Sequence, residues 1–561
     1  MSRKKMLESK LKRCGQEDRY IDVAVAFSVH KTYTYRVPPE LQDSVVVGKR
    51  VLIPFGKRRI TGYIFGPSHC PRGVTVKLIL DVLDEAPLFP DAMVPFFRWI
   101  ADYYLYPVGL VIQNGLPSGL NLHETVTIEL TQSGKRIVEA GGNGPFEQRV
   151  LEALADGPIR LNVLSRRVDG MVPASMIQSM VRAGKVEKIR RLTGGRVRSR
   201  LARFVAPVAN PSATARITPQ RRKILDLLSR CGEMPVKALS GHVPTAGHLV
   251  GPMAKAGLLT IHQKPVYRDP FGDPISRDTP PVLTSEQEKA VSAVLKSLGN
   301  GFAAYLLSGV TGSGKTEVYL HLAATAVAKG HSVLVLVPEI ALISQMERRF
   351  RARFGDVVAV LHSGLSAGER YDQWQRILSG DVAIAVGTRS AVFAPFANLG
   401  LIVVDEEHDP SFKQDNQLRY NARDLAVVRA KDAGAVALLG SATPSVQSFR
   451  NAETGKFQVL TLTRRVENRP MPEIDVVDLK LNRGKRGIQR FITPELESAM
   501  RRTLARGEQV LLFLNRRGYA NHQVCCDCGD TISCKNCDIS LTLHRHTNAL
   551  KCHYCGFSRP S

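Results

Sequence analysis

The sequence predicts a multidomain α/β chain: a P-loop lobe built on a parallel sheet, preceded by a small β domain and two winged-helix units and followed by an incomplete second lobe that carries a cysteine-rich module. Three observations lead there. From residue 283 onward, short β-prone runs (Ala304 to Leu307, Val333 to Val337, Val357 to Leu361, Val382 to Val386, Leu401 to Val404, Val436 to Leu439) alternate with helical stretches such as Thr316 to Ala328 and Ala422 to Lys431, the pattern of parallel strands with crossover helices. Gly309-Val310-Thr311-Gly312-Ser313-Gly314-Lys315-Thr316 matches G-x-x-x-x-G-K-S/T behind the first of those strands and ahead of a helix. Of ten cysteines, seven lie between Cys525 and Cys555, which in a reducing compartment reads as metal binding rather than disulfides.

Residues 1–115 read as the small β domain. Ile21 to Val25, Tyr33 to Val37 and Val51 to Phe55 alternate or cluster apolar positions between breaks at Pro38-Pro39, Gly48 and Gly56, and a helix from Val94 to Tyr106 closes the unit. Its Trp99, Tyr103, Tyr104 and Tyr106 suit a core more readily than a base-stacking platform. Residues 120–268 repeat themselves. Phe146 to Leu154 and Gln220 to Leu228 each open a run of short amphipathic helices, and the runs end in Met180 to Val186 and Met253 to Leu259 before a β-prone stretch. That is the order of two tandem winged-helix units. Winged helices bind DNA or serve as protein-docking spacers, and no base-reading set distinguishes these; Lys188, Arg190, Arg191, Arg196, Arg198 and Arg200 of the first wing suit phosphate contacts. A Pro- and Asp-rich linker, 269–282, leads to the P-loop lobe, 283–465, and to the cysteine-bearing segment, 466–561.

Composition narrows the class. Lys+Arg 77 against Asp+Glu 51 gives a net charge of +26, more than an ordinary metabolic enzyme carries and the footprint of a polyanion partner. The charged N-terminus, Met1 to Glu8, has no apolar region behind it, and no segment approaches the ~18 uninterrupted apolar residues of a membrane span. The expectation is a cytoplasmic protein whose polyanion is nucleic acid.

The chemistry concentrates in two motifs. Backbone amides of Gly309, Thr311, Gly312, Ser313 and Gly314 can cradle phosphates at a helix N-terminus, with Lys315 on the β/γ-phosphates and the Thr316 hydroxyl on Mg²⁺. About ninety residues on, an apolar strand ends in Asp405-Glu406-Glu407-His408; Asp405 supplies a second ligand to the metal and Glu406 addresses the attacking water. Lys315, Asp405, Glu406 and His408 are the candidate catalytic residues, with ATP and Mg²⁺ as the cofactors. Gln287, in Leu283-Thr284-Ser285-Glu286-Gln287, can pair the adenine edge; Thr388 and Arg389 can meet a phosphate backbone; Gly440-Ser441-Ala442-Thr443-Pro444 offers hydroxyls near the nucleotide. Separately, Cys534-x2-Cys537-x14-Cys552-x2-Cys555 has the spacing of a closed tetrahedral thiolate site for Zn²⁺.

This order of motifs resembles the DExH-type superfamily 2 helicases, and the resemblance narrows to the PriA family of primosomal replication-restart helicases. It rests on Pro338-Glu339-Ile340-Ala341-Leu342, Asp405 to Asp409, Tyr420-Asn421-Ala422-Arg423-Asp424, Leu512 to Tyr519 with the cysteines directly after, Val51 to Gly56 and Ala101 to Tyr104, and it covers nearly the whole chain. It implies RecA-like motor lobes, a DNA 3′-end-binding domain at 1–115, ATP-driven 3′ to 5′ translocation, recognition of stalled or abandoned forks and single-stranded DNA, and work with primosome proteins, loaders of the replicative helicase and single-stranded-DNA-binding protein. Where the family commonly has an acidic residue between two aromatics, this chain has Thr34 between Tyr33 and Tyr35. The family pattern also completes a second zinc site around Cys525 and Cys528 with a further knuckle that residues 1–561 do not contain, so a second zinc here needs another ligand such as His522 or His544.

Superfamily 2 motors take arginines from a second-lobe Q-x-x-G-R-x-G-R segment, worth about 10³ to 10⁵ in rate. No G-R-x-G-R occurs in the sequence, and the residues after Asn468 are too few for a complete second lobe. Two readings follow: an ATP-dependent helicase whose activity belongs to a longer protein, or a fork-binding and primosome-assembly protein that does not unwind.

Overall fold

The computed structural model describes residues 19–560 apart from 57, 72–73, 121, 141–143, 169–171, 195–199, 209–216, 269, 272–274, 467–469, 471, 479–491, 514–530, 537–539, 545–548 and 553–554. It divides into two compact units, Met1–Asn468 and Arg469–Ser561.

The first unit opens with β1 (Tyr20–Val25), β2 (Tyr33–Arg36), β3 (Arg50–Phe55), β4 (Arg58–Ser68) and β5 (Asp81–Val82), an antiparallel sheet in the order β2-β1-β4-β3-β5. The apolar alternation sends Ile21, Val23, Val51, Ile53 and Ile64 into its own core. Helices α1 (Val94–Tyr103) and α2 (Val108–Gly115) follow.

Next come β6 (Leu122–Leu130), α3 (Gln132–Ala140), α4 (Pro145–Ala153), β7 (Ile159–Arg160), α5 (Leu161–Arg167), α6 (Ala174–Arg182) and β8 (Val186–Gly194), then β9 (Arg200–Pro207), α7 (Pro219–Cys231), β10 (Met234–Pro235), α8 (Val236–His242), α9 (Ala246–Lys255) and β11 (Leu259–Val266). Helix, short strand, two helices and a long strand occur twice in that order, each set around a separate apolar core. The sequence separates the first of these from the β domain; the structure joins their sheets, because β6 pairs with β8 along its length and also meets β4 at Ile60 and His123.

The P-loop lobe is a seven-stranded sheet with every pairing parallel. Its elements are α10 (Ser285–Leu295), β12 (Ala303–Gly309), α11 (Lys315–Ala328), β13 (Ser332–Leu336), α12 (Ile340–Phe354), β14 (Val358–Leu361), α13 (Ala367–Leu378), β15 (Ile384–Gly387), β16 (Leu399–Asp405), α14 (Ala422–Ala433), β17 (Val436–Ser441), α15 (Val446–Glu453) and β18 (Gln458–Leu462), in the spatial order β14-β15-β13-β16-β17-β12-β18. Both faces are covered, so the strands read as unbroken apolar runs. Leu306, Leu336, Val404 and Leu439 face one core while Leu307, Val335, Val403 and Leu438 face the other.

The first of those cores extends past the lobe. Phe96 and Phe97 of α1 pack with Phe393 and Tyr420 of the lobe, Phe393 lying 6.1 Å from Phe96, 6.3 Å from Phe97 and 5.4 Å from Tyr420 between ring centroids. The Trp374 indole Nε1 donates to Leu88 O (2.7 Å), and Asn421 N donates to the Tyr104 hydroxyl (3.2 Å). The N-terminal domain and the lobe are therefore joined through buried surface.

The second unit, described by itself, holds α16 (Pro494–Ala505), capped by the Thr493 hydroxyl, and the antiparallel strands β19 (Thr542–His544), β20 (Ala549–Lys551) and β21 (Ser558–Pro560). Leu541, Leu550, Cys534 and Cys552 form its small core. Of the segment from Leu512 to Tyr519, residues 514–519 lie outside the described residues.

Replacing the fully buried Phe393 by Ala should cost about 3–5 kcal/mol. Calorimetry should show the N-terminal domain and the P-loop lobe shifting to lower temperature together, since the ring belongs to the core of both.

Candidate active site

The site forms where β12, β16 and β17 end side by side, the edge of a parallel sheet at which ligands bind. Leaving β12, the chain turns through Gly312 (φ 83°) and Gly314 (φ 80°) and enters α11 at Lys315. Gly314 is left-handed, and a Cβ on it would lie 2.3 Å from the Gln287 amide nitrogen, so glycine is required twice over. Lys315 Nζ donates to Gly309 O (2.8 Å), and the buried Ser313 Oγ has no hydrogen-bond partner among the described residues. An amide-lined turn with an orphan hydroxyl, a lysine and a helix N-terminus has the donor set a polyphosphate needs.

Gln287 packs against the phosphate loop. It is buried, its Oε1 accepts from Thr284 N (2.8 Å) in a capping box at the start of α10, and its Nε2 donates to Ser313 O (2.9 Å). Each end of the amide thus makes one hydrogen bond that braces the loop, and its second N–H and remaining oxygen lone pair are left for the adenine edge the sequence suggests. Its neighbour Glu286 accepts from Thr463 N (2.8 Å), Thr463 Oγ1 (2.5 Å) and Arg464 N (3.3 Å). Those bonds hold the segment after β18 across the loop, where Arg465 Nε donates to Thr311 O (3.0 Å) and Val466 N to Gly312 O (3.0 Å). No motif announces this strap.

The acidic loop lies opposite. Thr311 to Thr316, Asp405 and Glu406 line one cleft of about 430 Å³ with Leu342, Gln345, Met346 and Arg349 of α12. Burial and the adjacent Glu406 carboxylate push the Asp405 carboxyl up to about 6, against the Tyr319 hydroxyl and Lys315, which lower it. A carboxylate held from ionising by desolvation is one that a divalent cation would restore. Thr316 and Asp405 line the same cleft with a hydroxyl and a carboxylate, oxygen donors of the kind a hard divalent cation takes.

The other two members of the acidic motif tie it down. Ser441 Oγ accepts from Thr443 N (3.0 Å) and lies within hydrogen-bond distance of His408 Nδ1 (2.8 Å), which ties the imidazole to the end of β17. Glu407 is buried: it accepts from Ser445 N (2.7 Å), Ser445 Oγ (2.9 Å) and Ser448 Oγ (2.7 Å) and pairs with Arg423 Nη1 (3.3 Å). Arg423 also bonds Gln447 and Asp424. The sequence quotes Glu407 and Arg423 but shows no role for either, because partners 16 to 41 residues apart leave no local pattern.

Arg389, read as a phosphate-backbone contact, donates to Ser411 O (3.2 Å) and Lys413 O (2.8 Å) and so braces the turn after the acidic loop. In the N-terminal domain Tyr33 packs edge-on against Phe55 (5.3 Å), Phe27 lies 5.9 Å from Phe55, and the Arg58 guanidinium stands over Phe27. Thr34 Oγ1 donates to Asp22 Oδ1 (2.9 Å) and lies 3.2 Å from Ser68 Oγ. An acidic group is therefore present beside Thr34, contributed by the neighbouring strand.

In the second unit the Cys534, Cys552 and Cys555 sulfurs lie within 4.8 Å of one another, close enough to share a tetrahedral ion. Cys525, Cys528 and Cys537 lie outside the described residues.

Comparison with known proteins agrees with this layout. Residues 22–117 match the model for the PriA 3′DNA-binding domain, 284–452 that for the DEAD/DEAH box helicase, and 534–560 that for the PriA DNA helicase Cys-rich region. The chain is 34% identical over 556 residues to the replication restart protein PriA of Bacillus subtilis, covering 96% of this chain and 67% of that protein. The chain belongs to the PriA family. It is also similar to the PriA of Synechocystis (36% over 554 residues, 93% of this chain and 64% of that protein) and of Haemophilus influenzae (33% over 545 residues, 96% and 64%). The chain spans about two thirds of the length of these PriA relatives. Among the described residues no helix is long and apolar enough to cross a membrane.

Substituting Glu407 by Ala removes the buried acceptor of Ser445, Ser448 and Arg423, leaving Arg423 its pair with Asp424, and should destabilise the lobe by about 1–3 kcal/mol. A Glu407→Ala melting transition unmoved from wild type would mean that the network carries no net stability.

Proposed function

We propose that the chain is the ATP-binding and DNA-engaging portion of an ATP-dependent 3′ to 5′ DNA helicase that acts at stalled or abandoned replication forks. The observation that carries this reading is the single cleft lined by Lys315, Thr316, Asp405 and Glu406, in a chain of the PriA family whose net charge is +26.

In this reading the amides of Thr311 to Gly314 receive the phosphates, and Lys315 leaves Gly309 O to bind the β- and γ-phosphates. Thr316 and Asp405 hold the Mg²⁺, which neutralises charge building on the phosphate oxygens. Glu406 orients water toward the γ-phosphate, and His408 passes the position of the acidic loop to Ser441 and Thr443. The N-terminal aromatics Phe27, Tyr33 and Phe55, with Arg58, suit an unstacked DNA base, and the Asp22 carboxylate beside Thr34 suits a sugar hydroxyl. Forked and single-stranded DNA, primosome and helicase-loading proteins and single-stranded-DNA-binding protein are the partners this role requires.

The second reading is fork binding without unwinding, and it is set against the first by assay. The 561-residue chain is expected to bind a fluorescent ATP analogue, and Lys315→Ala to abolish that binding. Hydrolysis stimulated by single-stranded DNA supports the motor reading; binding of ATP and forks without turnover by residues 1–561 fits either, and unwinding by a chain that carries the G-R-x-G-R segment then separates them. Retained ATP affinity in Lys315→Ala would overturn the site itself.

We also assign a zinc ion to Cys534, Cys537, Cys552 and Cys555, because a loop-rich module with so small an apolar core needs a metal to fold. Elemental analysis should find about one zinc per chain, and chelation should unfold this module while sparing the P-loop lobe. A second equivalent would mean that Cys525 and Cys528 have found ligands.

A further inference from the structure

Tyr319 lies one turn into α11 from Lys315, and its side chain is fully buried. A phenol hydroxyl withdrawn from water must find a partner. Among the described residues the Tyr319 hydroxyl has one, Asp405 Oδ1, to which it donates at 3.0 Å.

The route to that carboxylate crosses the neighbouring strand. Gly440 of β17 is in register with Asp405 of β16 and with Leu307 of β12. A Cβ on residue 440 would lie 1.7 Å from the Tyr319 hydroxyl oxygen and 2.9 Å from the ring carbon that bears it. Gly440 does not have a left-handed backbone, so its own conformation gives no reason for a glycine there. The lack of a side chain is explained by the hydroxyl that passes over it.

We propose that Tyr319 is a positioning residue for the metal-binding carboxylate: through the gap at Gly440 it fixes Asp405 by one oxygen, so that the remaining acceptor capacity of the carboxylate is presented to the cation shared with Thr316. The proposal rests on the ATP and Mg²⁺ reading above. A carboxylate at the end of a strand has a free side-chain torsion, and the hydrogen bond removes that freedom before the cation arrives. The same helix that presents Lys315 and Thr316 to the phosphates thereby also sets the opposite side of the metal site, without contact between Tyr319 and nucleotide. Outer partners of this kind set affinity through the orientation of the ligand they hold.

The test is Tyr319→Phe, which keeps the ring and removes only the donor. Mn²⁺ affinity is read by electron paramagnetic resonance in the presence of saturating ADP, and nucleotide affinity is read separately in EDTA. Mn²⁺ affinity should fall about ten-fold, the lower end for loss of an outer partner, with metal-free ADP affinity unchanged. Gly440→Ala, which obstructs the hydroxyl, should lower Mn²⁺ affinity in the same direction with Tyr319 still present. Unchanged Mn²⁺ affinity in Tyr319→Phe, with ADP bound normally, overturns the proposal and leaves the ATP site standing. Failure of the wild-type chain to bind ADP overturns the ATP site and the proposal with it.

Discussion

The chemistry of this protein depends on the register of three neighbouring parallel strands. With β16, β17 and β12 side by side, Asp405 stands beside Gly440, Gly440 beside Leu307, and Ser441 beside Ser308. The acidic loop, the Ser441 loop and the phosphate loop therefore leave the same edge of the sheet as immediate neighbours. Each strand is buried on both faces, so a one-residue slip would exchange the two cores and is strongly disfavoured. It would also move Gly440 away from Asp405, closing the path of the Tyr319 hydroxyl. A packing rule that concerns only apolar side chains thus determines where the polar ones meet.

Fixing both ends of a short loop has a cost, and it appears at Glu406. This residue adopts φ 47°, a left-handed conformation uncommon outside glycine and asparagine. On one side Asp405 ends a strand and is bonded by Tyr319; on the other Glu407 is buried among Ser445, Ser448 and Arg423, with its own amide donating to Gly440 O (3.1 Å). Glu406 must span the two fixed points with its carboxylate left at the cleft. Strain of this kind persists where the surroundings over-determine it, and here the buried Glu407–Arg423 network does so. The network also joins the acidic loop to the start of α15, so a displacement of one is felt by the other.

Much of the lobe was legible because its signals are local. Alternating strand and helix patterns mark the parallel sheet, and the phosphate loop and acidic motif are contiguous words whose residues line one cleft. What the sequence hid depends on contacts across the fold. Gln287 carries the right side chain for an adenine edge, and its further work, bracing the loop through a bond to a carbonyl 26 residues away, leaves no local pattern. Tyr319 looks like any aromatic on an apolar helix, since only the absent side chain at Gly440 reveals its hydroxyl's destination. Thr34 reads as the loss of an acidic group, yet antiparallel pairing brings Asp22 directly across from it. The β domain and the first winged unit differ in pattern, yet β6 hydrogen-bonds to strands of both, β4 and β8.

The core shared by the N-terminal domain and the P-loop lobe bears on how far the two can move apart. Domains that meet through polar, wet surfaces move relative to one another by default. Here Phe96, Phe97, Phe393 and Tyr420 are buried together, and the Trp374 indole reaches the N-terminal domain at Leu88. Separating the two would expose that aromatic cluster at about 25 cal/mol per Å² of apolar surface. Phe393 also closes the short helical turn that begins at Arg389, and Arg389 braces the turn after the acidic loop. A continuous run of contacts therefore leads from the β domain through Phe393 and Arg389 to the turn after the acidic loop, so the N-terminal domain and the loop that carries Glu406 are coupled through buried side chains rather than across a wet surface.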